Sequence, residues 1–561
     1  MASVPAPPLT PTSDAVHSGK ATEEAESYHT RQIFQRAMAS SMTSSFSISS
    51  TVVEPNYRRV RDKLPLRLWI VASISFWEKA AFWATTAPWQ NYMQHPPRTT
   101  DEGTPGALGL GQVKATRIYC GFYICYYISP MIFAVLSDWK LGRYRTLLAC
   151  LVLFNIGCAV MTVSSIPSLL DAGWGLPGLI IAMACVALGG GGFESNMAAF
   201  LADQYPETEP RITVLESGEQ LITDRTLTME YIYSLNYWLG NVGSLSWFAI
   251  VVLEDRIGFT AAYGLTFGFI FLSLMTLVIG KPKFLRATHE TQVLAQSCKV
   301  LLCASRNGFR LSRADPTYQL EQRRKVVAWK TKLVDELRRA LQACRILIAF
   351  VMFYVCFDQM QNNLISQAAQ MKTENTPNDM LSAMNQVGCI IFTPLIQHVI
   401  YPFLHKRQIY IKPITRITIG FVFVVLSMTY AAILQNSIYN TAPCYNHPRD
   451  CSSAVEHEPN RINVWYQTPV FFLIAMGEVW AYVTALEIAH SHAPKHMKSM
   501  IQAIFPLMAG IGSACAMGIS SFAHDPYLVI FYSSLAGGMS LVTALFWIIF
   551  RKHDNTGEES P

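Results

Sequence analysis

Three stretches of this chain, residues 146–170, 257–280 and 526–550, run for 24 or 25 residues without one charged side chain. A helix rises 1.5 Å per residue and the hydrocarbon core of a bilayer is about 30 Å thick, so about 20 apolar residues cross it. Backbone in lipid must satisfy its own hydrogen bonds, which makes such continuous apolar runs helices. Across 561 residues the chain is 51% apolar and 15% charged, against about 25% charged in an average soluble domain. These features describe an all-α integral membrane protein with several spans, and no nucleic-acid partner is expected.

The same ruler finds twelve spans, near 66–92, 108–137, 144–167, 176–204, 228–252, 257–280, 342–368, 381–404, 414–437, 466–489, 498–522 and 526–550. Residues 281–340 separate them into six and six and carry 14 Lys/Arg against 5 Asp/Glu. Basic loops beside spans stay in the cytosol, so this linker and both termini are expected inside. The short loops at 138–145, 405–412 and 495–498 are basic and agree, whereas 206–227, also inside by alternation, is mildly acidic. The expected organisation is a cytosolic tail (1–60), a six-helix bundle (61–280), a basic linker (281–340), a second bundle (341–552) and a short tail (553–561). Within the linker, 318–344 reads either as an amphipathic helix or as a solvated connector. Nine of the thirteen residues at 39–51 are Ser or Thr, the composition of a disordered segment open to phosphorylation or simply passive.

Most of the thirteen cysteines fall within spans as small apolar residues. Cys444 and Cys451 flank "YNHPRD" in a loop that the topology places outside, where a disulfide would staple the loop. The "GGGG" at 189–192 follows no strand and precedes no Lys-Ser/Thr, so it is no phosphate loop; close helix packing is its expected role. His490, His492 and His496 sit in a cytosolic turn, and metal ligation is not expected there.

Two sets of six helices point to the major facilitator architecture, with a cavity near the membrane midplane. "LSDWKLGRYR" (136–145) falls between spans two and three and resembles the facilitator loop signature. There Asp138 either caps a helix or pairs with Arg143 or Arg145 as a gate; the alternative is an ordinary charged turn. "GALGLGQ" (106–112), "YWLGNVGSL" (237–245), "YPF" (401–403), "KPITRITIG" (412–420), "INVWYQTP" (462–469) and "APKHMKSMIQAIF" (493–505) together resemble the fungal members of the proton-dependent oligopeptide transporter family. The likeness runs from about residue 60 to 552. It implies uptake of di- and tripeptides driven by the proton gradient, with no cofactor.

The family's first helix carries E-x-x-E-R-F-x-Y-Y-G. In register this chain reads Ser75, Glu78, Lys79, Phe82 and Trp83, so one carboxylate is absent and the Arg is a Lys. The resemblance implies proton coupling at Glu78 and carboxylate binding at Lys79; the alternative is a pairing with other buried charges. In the fourth helix the family's G-T-G-G-I-K becomes "GGGGFESN", which puts Glu194 where a Lys is expected. Glu194 then either pairs with Lys79 or is itself the protonatable group. In the second half, Glu478 matches the residue that receives the peptide's amino terminus, and Asp358 in "CFDQMQNN" matches a gating or coupling position. Glu487 is placed at the inner gate. Tyr127, Asn241 and Asn385 align with positions that touch the peptide backbone, helix–helix hydrogen bonding being the alternative for each.

The sequence is therefore read as a secondary carrier in the plasma membrane, working by alternating access on small peptides and protons. The competing readings are a related carrier for a modified peptide or secondary metabolite, exporting included, and a sensor that binds peptide without transporting it. An intramembrane enzyme finds no catalytic dyad or ligand set to support it.

Overall fold

The computed structural model describes residues 58–551, apart from 61, 63, 98–103, 138–140, 206–210, 215–219, 224, 286–292, 309, 374–375, 409–410, 449–458 and 486–497. The chain divides into a small unit, Met1–Asp62 with Glu209–Arg225, and a large one, Lys63–Thr208 with Thr226–Pro561. In the small unit, Arg58–Val60, Arg211–Val214 and Gln220–Thr223 form a three-stranded sheet with the last strand central. Arg58 pairs with Leu221 in parallel, and Arg211 with Thr223 antiparallel.

The large unit is helical. Among the described residues, eight helices are long and apolar enough to cross a membrane: Gln112–Leu136, Arg143–Ser164, Gly175–Asp203, Phe259–Lys283, Pro413–Tyr439, Val464–Ala485, Ile504–Phe522 and Leu528–Phe550. They are spans two, three, four, six, nine, ten, eleven and twelve of the expected set.

The other four spans exist as broken helices, and the first break has a local cause. Span one runs Leu66–Thr86 and resumes at Trp89–Gln94 past Pro88, whose ring supplies no N–H. Span five is Arg225–Ser244 followed by Ser246–Arg256. Span seven is α-helical over Phe350–Phe357, tightens to a 3₁₀ turn at Asp358–Gln361, and restarts at Asn363–Ala368. Span eight passes from Met384–Leu395 through a widened turn at Ile396–Ile400 to Tyr401–Lys406. Broken backbone at membrane depth is tolerated only where it faces protein or water, and the polar residues of "CFDQMQNN" sit in the break of span seven.

Two apolar cores match the two sets of six. One gathers Val71, Tyr92, Phe154, Val186, Phe193 and Tyr263; the other gathers Phe350, Phe353, Phe421, Phe471, Phe531 and Tyr532. The glycine run earns its place in the first. A Cβ on Gly189 would lie 2.7 Å from the Cys150 carbonyl and 2.8 Å from the Phe154 nitrogen, and one on Gly192 would lie 2.6 Å from the Phe133 ring. Span four can thus press on spans two and three only without side chains there, as the sequence led us to expect.

The linker is more built than a connector. Its expected single helix is two, Pro316–Arg323 and Thr331–Ala343, separated where Arg324 takes the left-handed conformation at φ 50°. Asp315 caps the first by accepting from the Thr317 amide. Val334 and Leu337 of the second are fully buried in the second core.

Replacing Gly189 by Val is expected to destabilise the protein by at least the 1–3 kcal/mol (roughly) typical of overpacking. The check is the midpoint of thermal unfolding in detergent, and an unchanged midpoint would mean that spans three and four separate freely.

Candidate functional site

The pair of charges inside span one is placed by helix geometry. Glu78 and Lys79 are adjacent, so they diverge by about 100° around the axis. Glu78 turns inward, is wholly buried, and neither of its oxygens accepts a hydrogen bond among the described residues. Lys79 turns toward span four. Its ammonium donates to the Glu194 carboxylate and lies 4.0 Å from Glu78 Oε2. The side chains of Lys79 and Glu194 keep 22% and 49% exposure, so this ion pair faces an open space and not a dry core. The Lys79 stem runs past Gly240 of span five, where a Cβ would lie 3.5 Å from Lys79 Cγ. Its ammonium also sits 6.0 Å above the Phe82 ring, which packs on Tyr126 at 4.8 Å.

In the second half, Glu478 begins a widened helical turn, Glu478–Tyr482, a distortion common at functional sites. Its Oε2 accepts from Asn385 Nδ2 at 3.2 Å and from Cys389 Sγ at 3.5 Å, both on span eight. Tyr482, one turn on, lies within electrostatic reach of Lys79, Glu194 and Glu478 together. That tyrosine brings the charged groups of the first half within reach of the second. Aromatic rings continue the wall, with Tyr127 of span two 5.8 Å from Tyr354 of span seven, and Tyr482 4.9 Å from Phe505 of span eleven.

Asp358 opens the break in span seven. It is 4% exposed and accepts from the Ser513 hydroxyl of span eleven.

Beyond that break the two halves are bonded together at the end opposite the linker. Gly280, where span six meets the linker, packs against Ile70 near the start of span one, so Gln90–Gln94 belong to the far end. There Asn91 and Asn378 exchange two amide hydrogen bonds of 2.9 Å. Ser366 donates to Gln94, Gln112 donates to Asn363 at 2.9 Å, and Trp247 Nε1 donates to the Asp379 carbonyl at 2.9 Å. The hydroxyls of Tyr119 and Tyr123 both donate to Gln361 Oε1. Arg117 bonds Ser520 and Ser521 at the exposed edge. This polar seal closes the far side while the charged cluster stays solvent-accessible.

Several expected site residues fall elsewhere. Arg143 pairs with Asp203, the end of span four, so that pair lies within the first half and does not bridge the two. Arg145 is exposed. Asp138, Glu487 and the three histidines near residue 490 lie outside the described residues. Cys444 is disulfide-bonded, and its expected partner Cys451 lies outside them. Asn241 donates at 3.0 Å to the Tyr237 carbonyl of its own helix, whereas Asn385 makes the helix–helix bond to Glu478. Among the described residues no cluster of His, Cys, Asp or Glu could hold a metal ion. The sequence reading missed Ser513, Cys389 and the amides of the seal. For Gln361 and Asn363 of the seal the signal was present, since five of the six residues at 358–363 are polar within an apolar span.

A family model described as the POT family matches residues 144–535. The chain is 36% identical over 504 residues to the probable peptide transporter ptr2 of Schizosaccharomyces pombe, covering 89% of this chain and 80% of that one. It is 34% identical over 502 residues to the peptide transporter PTR2 of Saccharomyces cerevisiae, covering 90% and 82%. Among solved structures it is similar to the POT family transporter PepTSo, with a TM-score of 0.66 at 17% identity, covering 88% of this chain and 99% of that one. The fold is thus the two-bundle arrangement of twelve helices that this structure shares.

The cluster makes a stability prediction. Lys79→Ala strands the buried Glu78 without its neighbouring cation, at a cost of about 1–3 kcal/mol. Adding Glu78→Gln, which leaves no charge to strand, is expected to recover most of it. Thermal unfolding of the two variants in detergent decides this, and a Lys79→Ala protein as stable as its parent would show that water serves Glu78.

Proposed function

This chain belongs to the POT family, and from that premise we propose that it imports di- and tripeptides together with protons by alternating access. The observation that carries the reading is a cation on span one, Lys79, and a carboxylate on span ten, Glu478, both within electrostatic reach of Tyr482. A zwitterionic peptide presents a carboxylate to the first and an ammonium to the second. Asn385 and Cys389 orient Glu478 for that ammonium, and Tyr127, 5.8 Å from Tyr354 of the other half, lines the path between the ends. Such groups bond peptide backbone without reading side chains, which suits a broad substrate range.

Lys79 meets a substrate carboxylate by releasing Glu194 as its partner. Proton movement is assigned to Glu78, Glu194 and Asp358. Glu194, with half its side chain exposed, is the one that a proton from water reaches directly, and it stands in for the carboxylate missing at Ser75. With the polar seal closed at the far end, the cluster opens toward the linker side, which the basic linker marks as cytosolic. The plasma membrane, with both termini in the cytosol, is the location this reading entails. The names of the relatives support the substrate class, and the sequence match over most of the chain supports the shared mechanism.

Uptake of a radiolabelled dipeptide into proteoliposomes, with and without an inward proton gradient, is the direct test. Gradient-independent uptake would reject the coupling, and no uptake with retained binding would reject the carrier. Glu478→Gln is expected to weaken binding of peptides with a free amino terminus by tenfold or more, about 1.5–3 kcal/mol for a bond to a charged group. N-acetylated peptides should be nearly unaffected; equal losses for both would remove Glu478 from the site. Glu194→Gln is expected to abolish accumulation driven by pH while leaving peptide exchange intact, because exchange moves no net proton. Accumulation with an unchanged pH profile would make Glu194 scaffold.

A further inference from the structure

We propose that the Ser513 hydroxyl is a positioning residue for the proton on Asp358. The proposal rests on the reading of Asp358 as a coupling carboxylate and adds the group through which it works. Three observations converge on it. Asp358 is 4% exposed and Ser513 is fully buried, and the serine donates to Asp358 Oδ2. Among the described residues no Lys, Arg or His bonds Asp358. Span eleven comes close enough to deliver a hydroxyl because the preceding residue is Gly512, where a Cβ would lie 2.7 Å from Tyr354 Cβ and 2.8 Å from the Val351 carbonyl.

The other titratable groups around Asp358 are Tyr119, Cys120, Tyr123 and Tyr127 on span two and Tyr354 on its own span. All are phenols or a thiol, uncharged at neutral pH by their ordinary values. Span eleven contributes only the neutral Ser513. Among the described residues the carboxyl therefore has a hydroxyl for a partner and no cation.

The distinction matters for a group that must be loaded and unloaded. A cation favours the charged form alone. A hydroxyl has one proton to give and two lone pairs to receive, so it serves both forms. When Asp358 is a carboxylate, Ser513 donates to it. When a proton arrives on Oδ2, the acid O–H donates to Ser513 Oγ, and the serine proton turns to a backbone carbonyl one helical turn back, a common bond for helix serines. On release the bond reverses. The proton enters and leaves at the same oxygen, no buried polar atom is left unpaired, and no charged partner has to move.

The experiment measures the pH dependence of dipeptide accumulation in proteoliposomes for the full chain and its variants. Ser513→Ala removes both bonds, and the one donated to the charged carboxylate is the stronger, so the half-maximal pH is expected to rise by about one unit. Ser513→Thr keeps the hydroxyl and the parental profile. Ser513→Cys, a weaker donor of similar size, shifts it less in the same direction and replaces the alanine variant if that fails to fold. In an Asp358→Asn background, Ser513→Ala should add no further change, since a residue acting only through Asp358 has nothing left to act on. If Asp358→Asn alters the pH profile and the Ser513 variants do not, the proposal is overturned and the coupling reading stands. A Ser513→Ala shift that persists in Asp358→Asn also overturns it. If Asp358→Asn itself leaves the profile unmoved, the coupling reading of Asp358 fails and the proposal falls with it.

Discussion

A charge inside a membrane protein needs either a partner or water, and the contact that meets this need here is Lys79 with Glu194. It joins span one to span four across the site, and Glu78 is tolerable in its buried position because Lys79 stands 4.0 Å away. The geometry behind the pair is a packing matter. Glycines at 189–192 bring span four against spans two and three, which sets where Glu194, two residues beyond, emerges. Packing without side chains thus determines electrostatics one turn later.

The second half handles its carboxylates differently. Glu478 rests on an amide and a thiol, and Asp358 on a hydroxyl. Both sit where helix gives way to another backbone geometry, a widened turn at Glu478 and a tightened one at Asp358. Regular helix consumes its own hydrogen-bonding groups, so chemistry available to substrate gathers where regularity stops. The regular stretches supply the frame, and the interruptions, the widened turn within span ten included, hold Asp358 and Glu478.

How far the sequence could be read follows from the range of each interaction. Apolar runs are local, and they located every span, including those whose interruptions leave no single long helix. The Lys79–Glu194 pair was legible as one of two options because the family register set one charge opposite another. Ser513 was not legible, since a serine in an apolar helix reads as a small residue and its partner lies 155 positions away. The same holds for Arg143, whose partner Asp203 is at the far end of the next span and not in the loop motif. The linker helix was half right, its amphipathic second part being real and its continuity broken at Arg324.

The seal between the halves has an electrical consequence. Its hydrogen bonds come from amides, hydroxyls and an indole, with Asp379 taking part through its backbone carbonyl and Arg117 only at the exposed edge. Moving one elementary charge through the full membrane field is worth about 2.3 kcal/mol per 100 mV. Parting neutral dipoles moves no net charge, so the membrane voltage has no grip on those bonds. Whatever work the potential does on the cycle is delivered to the ionised side chains deeper in the protein and to the protons and peptide that travel with them.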